Sequence, residues 1–206
     1  KRKSELKALQ SQINPHFLYN TLDSIIWMAE GRKYEEVVLM TASLARLLRQ
    51  SISNEDEVVP LAREVEYAKG YLTIQKMRYK DKLEFEIDVE PSILNIPLIK
   101  LVLQPIIENA IYHGLKYKES KGLLQVKGFM KDGNAVLQVI DNGVGMDEET
   151  LSHIYDKHKV NYHSNGVGVY NVQKRLQLYY GESYGITYES EKGVGTTATI
   201  TIPGMQ

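Results

Sequence analysis

The sequence predicts an α+β protein: an N-terminal helical hairpin, paired with a second copy into a dimeric four-helix bundle, followed by a two-layer α/β sandwich. Three observations carry this. Apolar residues recur at helical spacing up to Ile52, a period of two sets in at Leu83, and strand-like and helical runs then alternate to the end.

Residues 4–52 read as two helices. Leu6, Leu9 and Ile13 mark the first, and Val37, Thr41, Leu44, Leu48 and Ile52 mark the second. The link Glu30-Gly31-Arg32-Lys33 is short and offers Gly31 as a C-cap, so the two helices fold back antiparallel. A unit this small cannot bury both apolar faces alone, which is why a second copy is expected. Residues 53–59 open polar and acidic and read as a hinge, giving a helical domain over 1–59 and a second domain over 60–206.

Pro60 precedes a helix from Leu61 to about Tyr79. Leu83, Phe85, Ile87 and Val89 alternate with Glu84, Glu86 and Asp88 as in a half-buried strand. A helix is expected over 97–114, strands over 123–130, 135–140, 184–189 and 196–202, and helices near 147–155 and 168–180. In the last strand Ala198, Ile200 and Ile202 alternate with threonines, so one face is covered and the other open. Strands covered on one side by several helices make two layers.

Composition narrows the classes. Over 206 residues, 43% are hydrophobic and 25% charged, the profile of an ordinary globular protein. A formal net charge of −1 supplies no field for nucleic acid, and none is expected as a partner. The absence of cysteine excludes a disulfide framework and a thiolate metal site. No apolar run approaches the ~18 residues of a membrane span. Because the chain opens at Lys1 within a helical pattern, it is expected to be a piece of something longer.

Three glycine pairs stand out: Asp141-Asn142-Gly143-Val144-Gly145, Asn165-Gly166-Val167-Gly168 and Gly193-Val194-Gly195-Thr196-Thr197. None is a P-loop, because no Gly-Lys-Ser/Thr follows, and none has the third glycine of a dinucleotide fingerprint. Each taken singly reads as a turn, a close helix packing or a hairpin. Their chemistry suggests more. Gly166 and Gly168 stand before an amphipathic helix whose first N–H groups can hold phosphate. Asp141 ends an apolar strand, where a carboxylate can accept from an exocyclic amine, and Gly143 and Gly145 let the chain pass close to a flat ring. Upstream, Glu108 and Asn109 interrupt an apolar helix, and buried polar groups need partners. A carboxylate beside an amide can arrange Mg²⁺ with its waters and phosphates.

In order, Glu108-Asn109-Ala110-x-x-His113-Gly114, Asp141-Asn142-Gly143-x-Gly145, Asn165-Gly166-x-Gly168-x-x-Asn171-Val172 and Gly193-x-Gly195-Thr196 resemble the ATP-binding domain shared by gyrase, the heat-shock chaperone of that superfamily, histidine kinases and mismatch-repair ATPases. Four weak boxes in the right order within about ninety residues are strong together. The resemblance implies ATP and Mg²⁺ as ligands. It implies that Asn109 ligates the metal, that Asp141 reads the adenine amine and that Thr196 supports it. Gly166 and Gly168 would face the phosphates, and 146–165 would form a lid. A Lys is common in this family where Tyr112 stands, so its phosphate contact falls to His113 or Lys116. His153, His158 and His163, spaced by five, read as lid residues and not as a metal site.

The segment Leu9-Gln10-Ser11-Gln12-Ile13-Asn14-Pro15-His16-Phe17-Leu18-Tyr19-Asn20-Thr21-Leu22 resembles the phosphoacceptor segment of LytS-type sensor histidine kinases. That implies autophosphorylation on His16, then transfer to an aspartate of a response regulator, by the cytoplasmic portion of a membrane-anchored sensor. The residues themselves allow two local readings. In one, a continuous helix kinks at Pro15 and its buried seam passes to Leu18, Leu22, Ile25 and Ala29, leaving His16 outside. In the other, Asn14 is an N-cap, Pro15 the first helical residue and His16 a first-turn residue. Phe17 follows His16 where other kinases carry an acid, so Glu108 becomes the candidate general base. An ATPase that phosphorylates no protein and an ATP-sensing dimeric scaffold are the rival functions.

Overall fold

The computed structural model describes residues 13–52, 57–116, 118–156 and 168–204. Helix α1 (Pro15–Glu30) begins with Asn14 as its N-cap, whose Oδ1 accepts from the His16 amide at 2.8 Å, and with Pro15 at the first position. The second local reading is therefore the one the fold adopts. α1 ends at Gly31, but the left-handed residue of the link is Arg32, at φ 58°. α2 (Tyr34–Ile52) returns antiparallel.

The hairpin's buried faces are those expected only in part: Ile13 and Leu44 are buried, and Leu18, Ile25 and Leu48 pack against the core. Phe17, Thr21 and Met28 are buried on α1, while Leu22 and Ala29 are exposed. On α2, Met40, Leu44 and Leu47 are buried and Thr41 is exposed. The cause is tertiary. Both helices lie against α3 (Leu61–Tyr79), where Phe17 meets Tyr71 at 4.8 Å between ring centroids.

Two three-residue strands, β1 (Val58–Pro60) and β3 (Pro97–Ile99), pair antiparallel. They correct two expectations. The hinge does not reach residue 59, and the helix expected from Pro97 starts at Leu103 instead. Between β3 and that helix the chain turns through Leu101, at φ 61°. Glu64 Oε1 then accepts from the Val102 and Leu103 amides at 2.8 and 3.2 Å, which caps the new helix from α3. This helix, α4 (Leu103–Asn109), continues as a π turn over Ala110–Leu115.

The main sheet has the order β2-β4-β5-β7-β6, from β2 (Leu83–Val89), β4 (Gly122–Lys131), β5 (Asn134–Asp141), β6 (Gly185–Glu191) and β7 (Gly195–Pro203). β2 runs parallel to β4 and the other pairs are antiparallel. α5 (Glu148–Ser152) and α6 (Val169–Tyr180) complete the helices. Ala198, Ile200 and Ile202 are buried, as the alternation predicts, and join Leu124, Val126, Leu137 and Val139 in a core with α3, α4 and α6.

Candidate ATP site

Registry builds the floor of the site. Asp141 on β5 pairs with Thr196 on β7, which pairs with Ser190 on β6. The next row on the same face is Val139, Ala198 and Tyr188. Ala198 is small, so the second row dips between Val139 and Tyr188. The helix α4 crosses above, and a cavity of about 290 Å³ lies between the layers. Its wall includes Asn109, His113, Asp141, Gly145, Gly168 and Thr196.

Asp141 is buried. Its Oδ1 accepts from the Gly143 amide at 2.8 Å. Burial pushes its carboxyl up to about 6, against the pull of the Gly143 and Thr196 amides and the Lys118 charge. Gly114 is required beside it, because a Cβ there would stand 2.8 Å from Asp141 Oδ1. The Thr196 hydroxyl is held by Ser190 Oγ at 2.7 Å, and Ser190 also accepts from the Met146 amide at 2.8 Å.

Gly168 is the N-cap of the twelve-residue α6, so the free N–H groups of its first turn open at the cavity wall beside Val169. Gly166 lies outside the described residues, as do His158 and His163. His153 pairs with Asp156 at 2.8 Å on the surface of the segment after α5. Among the described residues no cluster of three or more His, Asp or Glu could hold a metal.

Gly143 is placed differently from expectation. It packs backbone against backbone on Gly114, whose carbonyl accepts from Val144, so its missing side chain serves the contact with the π turn after α4. Gly145 does border the cavity, at φ 67°, with the Glu191 carbonyl where a Cβ would be.

α4 has two working faces. Asn109 and His113 look into the cavity. Gln104 and Glu108, four apart, lie on another face, and Gln104 Nε2 donates to Glu108 Oε1 at 3.0 Å. Glu108 is buried and does not line the cavity; its field is felt by Tyr67, Tyr71 and Tyr112. Burial raises its pKa to about 8, opposed by the bond from Gln104. Tyr112 is buried, and its ring meets the His16 imidazole edge-on at 6.2 Å. Lys116 Nζ lies 6.0 Å from the Tyr112 ring, away from the cavity wall, which leaves His113 as the basic residue of that wall from this segment. His16 itself is exposed in the first turn of α1, with Asn20 Nδ2 3.1 Å from its Nδ1.

Sequence reasoning missed Tyr188 in the wall, while Met146 and Asp156 belong to the segment expected as a lid. Tyr188 was legible as the inward neighbour of Ile186 on an expected strand.

A two-layer sandwich with a cavity between its layers, joined to a hairpin that presents a histidine, fits the class of ATP-binding phosphotransfer proteins. Residues 95–206 match the model of histidine kinase-, DNA gyrase B- and HSP90-like ATPases, and residues 4–83 match the histidine kinase model. Sensor histidine kinase YesM of Bacillus subtilis is 37% identical over 98% of this chain and 34% of its own length. Sensor protein LytS of Oceanobacillus iheyensis is 33% identical over 88% of this chain and 31% of its own. The chain thus spans about a third of the curated relatives it matches. The histidine kinase domain of a blue-light activated kinase from Erythrobacter litoralis shares the fold at TM-score 0.53 and 17% identity, over 97% of this chain and 93% of that one. The chain belongs to the sensor histidine kinase family, in its LytS-type branch, with the ATP-binding domain common to histidine kinases, gyrase B and HSP90.

Proposed function

We propose that this chain is a histidine kinase core that moves the γ-phosphoryl group of ATP onto His16 and then onto an aspartate of a response regulator. One observation carries the reading: α4 lines the nucleotide-sized cavity with Asn109 on one face and meets the exposed His16 through Tyr112 on another. The adenine would lie against Asp141 and Thr196. The phosphates would lie toward Asn109, His113 and the first turn of α6.

Mg²⁺ fits the donor set. This ion needs only one or two protein oxygens when phosphates and waters complete its shell, and Asn109 supplies one amide oxygen. When bound, it neutralises phosphate charge.

In the transfer, an imidazole nitrogen of His16 bonds to phosphorus as the bond from phosphorus to the β–γ bridging oxygen breaks, and ADP leaves with the electron pair. The other imidazole N–H turns acidic. Glu108 is the candidate to take that proton, and a carboxyl pushed up to about 8 is basic enough once ionised. Its place on a face of α4 away from the cavity means the hairpin and sandwich must shift for the three groups to meet. Asn20 can hold the imidazole. With its amide turned so that Oδ1 accepts from Nδ1–H, Nε2 keeps the lone pair before transfer, and the Nδ1 proton passes from its bond with Asn20 to the carboxylate as phosphorus is attacked.

The hairpin supports dimerisation. Tyr19, Leu22, Ile26 and Trp27 on α1 and Tyr34, Val38 and Leu39 on α2 are exposed. A second copy would cover them in a four-helix bundle. No helix among the described residues is long and apolar enough to cross a membrane. A cytoplasmic place within a longer, membrane-anchored sensor belongs to the same proposal.

The test is incubation with γ-labelled ATP. Acid-labile, alkali-stable label on the protein is expected. Phosphate release with no protein label would support the ATPase reading, and binding without turnover the scaffold reading.

A further inference from the structure

The floor row Val139, Ala198, Tyr188 is apolar except for one atom, the Tyr188 hydroxyl. That oxygen is sealed from solvent and closes no full hydrogen bond with a described residue. Leaving a buried hydroxyl unsatisfied is unfavourable, and a phenylalanine would fill the same space without that cost. The ring is also held in place. It meets Tyr155 edge to face at 6.1 Å and 71°, and the Tyr155 hydroxyl is anchored on the Ile186 carbonyl at 2.6 Å.

Asn109 on α4 is the amide side chain that lines the same cavity as Tyr188. Burial raises the phenol well above its ordinary range, and the Asn109 amide pulls the other way. An unpartnered phenol oxygen can accept, and Asn109 brings an amide N–H to the same cavity. An amide with Nδ2 turned toward Tyr188 presents Oδ1 on its other side. A hard divalent cation takes the oxygen and not the nitrogen, so the partner at the nitrogen end decides whether the ligand faces the metal.

We propose that Tyr188 is a positioning residue for the nucleotide's metal. Its hydroxyl accepts from Asn109 Nδ2 when the site is loaded, and this fixes Oδ1 toward the cation at the phosphate end. The inference rests on the proposed metal role of Asn109. Through Tyr155 it also ties that ligand to the segment just after α5.

Calorimetry of a non-hydrolysable ATP analogue, with Mg²⁺ and with EDTA, tests it on the whole chain. Tyr188→Phe keeps the ring and removes only the oxygen. The gain in affinity that Mg²⁺ confers should fall roughly 10- to 100-fold, the scale of losing an outer partner of a metal ligand. Metal-free affinity should hold, and the melting temperature of the nucleotide-free protein should hold or rise, since the substitution removes an unsatisfied buried hydroxyl. An undiminished Mg²⁺-dependent gain overturns the proposal. So does equal weakening with and without metal, which reports lost pocket shape. Asn109→Ala in parallel separates the two layers. If Asn109→Ala abolishes the gain and Tyr188→Phe does not, positioning fails and the ligand role stands. If Asn109→Ala keeps the gain, the metal assignment itself fails.

Discussion

The hairpin and the sandwich manage polarity in opposite ways. On α1 and α2 the apolar residues Leu22, Ile26, Trp27, Val38 and Leu39 are exposed, and so is His16, the proposed acceptor. In the sandwich most apolar residues are packed into one core, with Leu178, Tyr179 and Val194 among the exceptions, and the acids Glu108 and Asp141 are buried with raised pKa values. The hairpin therefore reads as half of an assembly that carries reactivity with little binding. The sandwich carries the proposed binding, whose cost is the desolvation of carboxyl groups.

Substitutions sharpen or break this division. His16→Gln has the largest expected effect: protein labelling disappears while nucleotide affinity by calorimetry is unchanged. Label on the mutant would remove His16 as acceptor, and a loss of affinity would show that the hairpin shares in binding. Glu108→Gln comes next, since it lies where the two regions meet. It should bind ATP·Mg²⁺ normally and label at least ~10²-fold more slowly, the scale of general-base catalysis. The wild-type labelling rate should rise with pH toward about 8 as the carboxyl ionises. A normal labelling rate in Glu108→Gln, or a defect confined to Mg²⁺-dependent binding, would assign Glu108 elsewhere.

Asp141→Asn should weaken ATP and ADP alike, by about 1.5–3 kcal/mol for one charge-assisted hydrogen bond. Wild-type affinity should also fall as the pH drops below about 6, because the protonated carboxyl no longer accepts. Equal ADP affinity in the mutant would contradict the adenine assignment. Ile26→Asp combined with Val38→Asp should turn a sedimenting dimer into a monomer without changing nucleotide affinity. A dimer that survives would place the interface elsewhere.

The smallest effect is on stability. Glu108 is held protonated by burial, so in the window between its ordinary 4.5 and about 8 the folded state binds more protons than the unfolded one. Its contribution to stability is full below that window and is lost as pH rises through it. Glu108→Gln should therefore gain in melting temperature relative to wild type as pH rises from 4.5 to 8 and then level off. A constant difference across that range would mean Glu108 is already ionised in the fold.

Local pattern alone determined much. Period two at Leu83–Val89 and at Ala198–Ile202 reports one buried face, because neighbouring side chains on a strand point to opposite sides. The boxes around Asn109, Asp141 and Gly168 named residues that the fold brings to one cavity, because their chemistry depends on short spacings along the chain. Tertiary structure decided what depends on a distant partner. The β1–β3 pair is too short to show a period and is set by residues about forty positions apart. The start of α4 is set by Glu64 from another helix. The hairpin's buried stripe is set by where α3 docks, because a helical repeat shows that some face is covered but not by what. Gly143 against Gly114, and Tyr188 in one cavity with Asn109, follow from registry across the sheet and the layer above it, which no spacing along the chain contains.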